Sequence, residues 1–146
     1  MRARVIKTDG TTEPLELPSG SNECGNRLAA MYQAIGCTAV DVVRVLDAVP
    51  GRPGVDMWID DEGLFKDEPE PNKVATLLAN GLASGCVTSW ITGSVVVTGG
   101  ADSEGDTLPL TPAQDWALAE LAGHWRRHVE AVDGKAVPEA QIVVTG

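Results

Sequence analysis

Val55, Met57 and Ile59 alternate with Asp56, Trp58 and Asp60, a period of two that predicts a strand with one buried and one wetted face. Asp61, Glu62 and Gly63 follow as a turn, because glycine reaches positive φ without a Cβ clash and carboxylates favour water. Upstream, Ala3 and Val5 alternate with Arg4 and Ile6, and residues 12–17 alternate again. The intervening Thr8-Asp9-Gly10-Thr11 makes the pair a hairpin. Between residues 23 and 35 the period lengthens: Leu28, Met31, Tyr32 and Ile35 stand three and four apart, the spacing of an amphipathic helix that Gly36 closes. Residues 39–46 are β-branched at both parities, which predicts a strand at the centre of a sheet, antiparallel to 55–60 through a Pro/Gly loop.

A second helix is expected over 72–83 and a strand over 93–98. The connector at 99–109, rich in glycine and carboxylates, reads as mobile. Thr111, Pro112 and Gln114 then form a helix start: Thr111 can cap, proline at the first position loses no hydrogen bond, and glutamine three residues on can return to the cap. Leu118, Leu121, Ala122, Trp125, Val129 and Val132 give that helix, 112–132, one apolar stripe. Residues 140–144 read as a last strand. The expected fold class is α+β, a mixed but mostly antiparallel sheet of about six strands with three helices packed on it. Residues 1–100 form the core domain, and 101–146 add the acidic connector, the long helix and the C-terminal strand to it.

Charge and cysteine content narrow the classes of partner and compartment. The 146 residues carry 21 Asp and Glu against 11 Lys and Arg, a net charge of −10, which argues against direct binding to a nucleic-acid backbone. An acidic surface suits a basic protein instead. The three cysteines, Cys24, Cys37 and Cys86, are odd in number and form no Cys-x-x-Cys pair, so buried thiols in a reducing cytoplasm are expected. The N-terminal MRARVIKTDG has no apolar signal-peptide core, and no uninterrupted apolar window approaches a membrane span.

The order of acidic strand, Asp61-Glu62-Gly63 turn, Leu64-Phe65, proline, Asn72-Lys73 and helix, followed by the strand from Ile91 to Gly99, resembles a small domain-of-unknown-function family found in phages, plasmids and actinobacterial genomes. The likeness covers roughly residues 1–100 and rests on motif order. The chain departs from that family at Ser94, where an acidic residue is usual, and the segment after Gly100 looks like an addition. The resemblance implies a bacterial or phage setting and no mechanism.

The candidate chemistry is sparse. Asp56, Asp60, Asp61, Glu62, Asp67, Glu68 and Glu70 place seven carboxylates within fifteen residues, a candidate face for a protein partner, with Trp116 as an exposed anchor beside the long helix's buried stripe. Turn regions favour such charges for solubility alone. Asn72 and Lys73 open a helix, where backbone N–H groups attract anions, and they are the candidate contacts for a nucleotide-like small molecule. His124 and His128 stand four apart, a metal spacing, but no third histidine exists and no glutamate follows the first. No nucleophile elbow, phosphate loop or metal motif occurs, so no cofactor and no catalytic residue is expected. The expectation is therefore a non-enzymatic, cytoplasmic accessory protein of phage type that binds a host protein through its acidic surface, with pairing to a second copy as a homodimer included. Capture of an anionic small molecule is the alternative, and an enzyme the third.

Overall fold

The computed structural model describes residues 1–63, 68–82 and 90–134. β1 (Arg2–Ile6) and β2 (Thr12–Glu16) pair in the expected hairpin, from Arg2 opposite Glu16 to Ile6 opposite Thr12. Gly10 turns the chain at φ 85°, and the Asp9 carboxylate accepts from the Thr11 backbone N–H at 2.9 Å and the Thr11 hydroxyl at 2.6 Å. A single 3₁₀ turn leads into α1 (Cys24–Ile35), which ends where Gly36 at φ 79° donates its N–H to the Tyr32 carbonyl at 2.8 Å. The buried Arg27 fastens this helix to the preceding loop by donating to the carbonyls of Pro18 and Gly20.

β3 (Val40–Leu46) and β4 (Val55–Asp60) form a second antiparallel pair with an irregularity between Arg44 and Leu46. α2 (Lys73–Leu82), β5 (Val95–Gly99) and α3 (Pro112–Gly134) complete the described elements. β5 joins the two hairpins, pairing with β1 on one side and β4 on the other, so the sheet order is β2-β1-β5-β4-β3. All four pairings are antiparallel. The fold is α+β, with five strands rather than about six; the run at 140–144, read as a further strand, lies outside the described residues.

The sheet is covered on both faces. One face carries Ile6, Val45, Met57, Val95 and Val97 against Val74 and Leu78 of α2 and Leu118 and Ala122 of α3. The other carries Ala3, Val5 and Val96 against Met31 and Ile35 of α1. Two expectations change as a result. The β-branched run 40–46 is an edge strand, not a central one: Asp41, Val42 and Arg44 are exposed, and β5 holds the centre, with Val95, Val96, Val97 and Thr98 at 0% exposure. β4 has no wetted face, since Asp56 and Asp60 are buried. Asp56 meets the Arg44 guanidinium at 3.3 Å, which lets a carboxylate sit inside.

The connector expected to be mobile is a hydrogen-bonded turn. Asp102 accepts from the N–H groups of Glu104 and Asp106 at 2.9 and 3.0 Å, Gly105 turns at φ 86°, and Gly99 and Gly100 are buried. The start of α3 forms as its residues predict. Gln114 N–H donates to the Thr111 hydroxyl at 3.0 Å and Thr111 N–H to the Gln114 side chain at 3.1 Å, while the Gln114 amide also reaches the Pro53 carbonyl at 2.9 Å.

Candidate functional site

Register divides the candidate residues between two ends of the sheet. Ile6 lies opposite Val95, and Trp58 opposite Val96, so Asp60, the start of β5 and the β1–β2 turn share one end. Arg2, Val55 and Gly99 mark the other, roughly 15 Å away along a five-residue strand. The carboxylates of the Asp61-Glu62 turn collect at the first end.

Asp60 is the pivot of that collection. The residue is 8% exposed, and its carboxylate accepts from the Glu62 backbone N–H at 2.9 Å. It borders two cavities. One, of about 520 Å³, lies beside the end of α1 and is lined by Tyr32, Gln33, Thr38 and Glu62 as well as Asp60. The other, of about 310 Å³, adds Glu68 and Glu70 with the hydroxyl-bearing Thr8, Thr92 and Ser94. Glu70 accepts from the Thr8 hydroxyl at 2.7 Å, which ties the β1–β2 turn to the acidic segment. Asp61 is exposed, and its backbone N–H donates to the Ala39 carbonyl at 3.1 Å. Asp67 lies outside the described residues.

The structure does not bring every candidate to this end. Asp56 is 4% exposed and engaged with Arg44, so it offers no contact face. Trp116 is 68% exposed, but it stands at the opposite end, near the start of α3, where Leu110 N–H donates to the Arg2 carbonyl at 2.9 Å and Gln114 reaches the Pro53 carbonyl. The acidic turn 101–106 is at that end too, where Gly100 N–H donates to the Gly54 carbonyl at 2.9 Å.

Asn72 is consumed by the fold. Fully buried, its amide donates to the carbonyls of Ile6 and Gly93 at 3.0 Å each, and its side-chain oxygen caps α2 by accepting from Ala75 N–H at 3.0 Å. Lys73 lines a separate cavity of about 230 Å³ with Thr8, Asp9, Arg126 and Glu130. Arg126 pairs with Glu130 at 3.1 Å. His124 and His128 are exposed and flank Trp125 edge-on, with ring centroids 5.3 and 5.7 Å away. Among the described residues no group of three or more His, Cys, Asp or Glu side chains is placed to hold a metal ion. Cys24 is exposed and Cys37 half-buried, neither in a disulfide, in contrast to the expected buried thiols; Cys86 lies outside the described residues.

Sequence reasoning passed over Tyr32, Gln33, Thr38 and Arg126 as site residues. Tyr32 belongs to the helical stripe of α1 and Arg126 to the polar face of α3, and only the tertiary fold sets them beside residues distant in the chain.

Together these features define a five-stranded antiparallel α+β domain with helices on both faces and a carboxylate-lined cleft at one end of the sheet. The chain belongs to the DUF3846 family, a domain of unknown function whose model matches residues 1–125. The match runs beyond Gly100 and takes in residues 112–125 of α3. No curated protein and no solved structure matches the chain. Among the described residues no helix is long and apolar enough to cross a membrane.

Proposed function

We propose that this protein acts by binding, engaging a basic surface of a host protein through its acidic end, as a phage-type accessory factor in the bacterial cytoplasm. The role fits host takeover or counter-defence. The supporting observation is the gathering of Asp60, Glu62, Glu68 and Glu70 around two cavities that share Asp60. Carboxylates on one rim attract a cationic partner and make its capture fall with salt. Asp61, Glu62, Glu68 and Glu70 are exposed, so reversing their charges together leaves the core intact. Capture of the partner from host lysate at low salt is expected to be lost in that variant, and to be weakened by salt in the native chain. Unchanged, salt-insensitive capture rejects the proposal, as does turnover by the purified protein that one side-chain change abolishes.

A second reading is supported by the cavity at the start of α2, where Lys73 and Arg126 approach from two helices. A nucleotide-like anion held there raises the melting temperature by linkage. Because Asn72 is spent on the fold, the contacts fall to Lys73, Arg126 and backbone N–H groups. A nucleotide panel at millimolar concentration that shifts the native chain, and not Lys73→Ala with Arg126→Ala, supports it; no shift removes it.

A further inference from the structure

We propose that the cavity bounded by Tyr32, Asp60 and Glu62 is the socket for an arginine of the protein partner, presented on an extended segment that adds to the outer edge of β3. The inference rests on the acidic-end reading above and specifies which chemistry that end selects.

The cavity, of about 520 Å³, lies within the roughly 300–1,000 Å³ typical of ligand pockets. The residues that line it bring polar groups of several kinds: two carboxylic acids, Asp60 and Glu62, with a tyrosine, Tyr32, a glutamine, Gln33, and a threonine, Thr38. A planar guanidinium has five donors that two carboxylates and an amide oxygen can share, and it stacks on an aromatic ring. A lysine ammonium is a compact, strongly hydrated point charge that uses neither the ring nor the spread of acceptors as well. Asp60 is already inside the fold at 8% exposure, where attraction to a cation is less screened than at the surface.

The second observation is the edge beside the cavity. Asp61 N–H donates to the Ala39 carbonyl, so residues 39, 41 and 43 turn their backbone toward β4, and Val40, Val42 and Arg44 turn theirs outward. Among the described residues no strand pairs with that side. The Asp41 carboxylate takes the Val42 N–H at 2.8 Å, which leaves Val40 and Arg44 to form a ladder with an added strand. Val42, 40% exposed, gives such a strand apolar contact. Thr38 precedes β3 by two residues and lines the cavity, so a segment lying along the edge runs into the socket. The opposite edge, β2, contains Pro14, which has no N–H to give.

The test uses three synthetic peptides of one extended, valine- and threonine-rich sequence with arginine, lysine or neutral citrulline at a single position, titrated into the full chain by calorimetry. The arginine peptide is expected to bind about tenfold more tightly than the lysine peptide, with no binding by citrulline. Glu62→Gln and Tyr32→Ala each lower the arginine peptide's affinity several-fold, Glu13→Gln on β2 leaves it unchanged, and N-methylation of alternate peptide amides abolishes it. Equal affinity for arginine and lysine, or indifference to both Glu62→Gln and Tyr32→Ala, overturns the socket. If that happens while lysate capture keeps its salt and charge-reversal sensitivity, the acidic-end reading stands without the socket; loss of both removes both.

Discussion

Asn72 donates its side-chain amide to the carbonyl of Ile6, 66 residues away in sequence, while its side-chain oxygen caps α2 at Ala75. One buried residue thereby fixes the helix start, the end of β1 and, through Gly93, the approach to β5. Asn72→Ala removes the cap and leaves two carbonyls short of a donor, at a cost on the order of 3 kcal/mol in urea unfolding. Asn72→Asp keeps a capping oxygen but turns a charged acceptor against the same carbonyls. It is expected to destabilise at least as much, which separates the long-range bonds from the cap.

Gly99 closes β5 against the following turn. A Cβ there would stand 2.5 Å from the Pro109 carbonyl oxygen and 2.8 Å from that of Leu108, both backbone atoms with little room to give. Gly99→Ala is expected to cost about 1–3 kcal/mol by thermal or denaturant unfolding. Gly25→Ala, where a Cβ meets nothing within 4 Å, serves as the control and is expected to be neutral or mildly stabilising.

The Asp9 carboxyl is held below its ordinary value of 3.8, first by the Thr11 hydroxyl and backbone N–H that donate to it, then by the nearby charges of Arg126 and Lys7. A lowered folded-state value means that the contribution is present above the unfolded value and is lost as pH falls through the folded one. The β1–β2 turn is therefore expected to hold its geometry down to pH 3.8 and loosen only below it. An NMR titration following the Thr11 amide should show its midpoint there, and Asp9→Asn should abolish the transition.

Thr111→Ala is expected to cost about 1 kcal/mol through loss of the cap of α3. Gln114→Ala removes the reciprocal bond and also the link to Pro53, so its denaturation midpoint should fall at least as far.

Much of the architecture was legible in the residues. Both hairpins, the Gly36 stop and the Thr111–Gln114 start follow from local turn and capping chemistry, which depends on neighbours a few positions apart. The placement of β3 and β4 was not. An acidic alternation such as Asp56, Trp58, Asp60 looks like a wet face, and only the arrival of α1 and the Arg44 guanidinium makes those positions interior. The dense β-branching of 40–46 likewise suits a centre that β5, fully buried, occupies instead. At the candidate site the carboxylates were visible as a run, whereas their split into the buried Asp56 and the cavity-lining Asp60, Glu62, Glu68 and Glu70 depends on strand register. Tyr32 and Thr38 carried no local signal of belonging to that group.

Because β5 is the only described strand that pairs with both hairpins, no backbone ladder formed before Val95 joins them. As the chain leaves the ribosome, β1–β2 and β3–β4 emerge as two ribbons that share no ladder, and the sheet becomes continuous when the Val95–Gly99 segment pairs with both. Nascent chains stalled ahead of that point would be the form most open to chaperones and proteases.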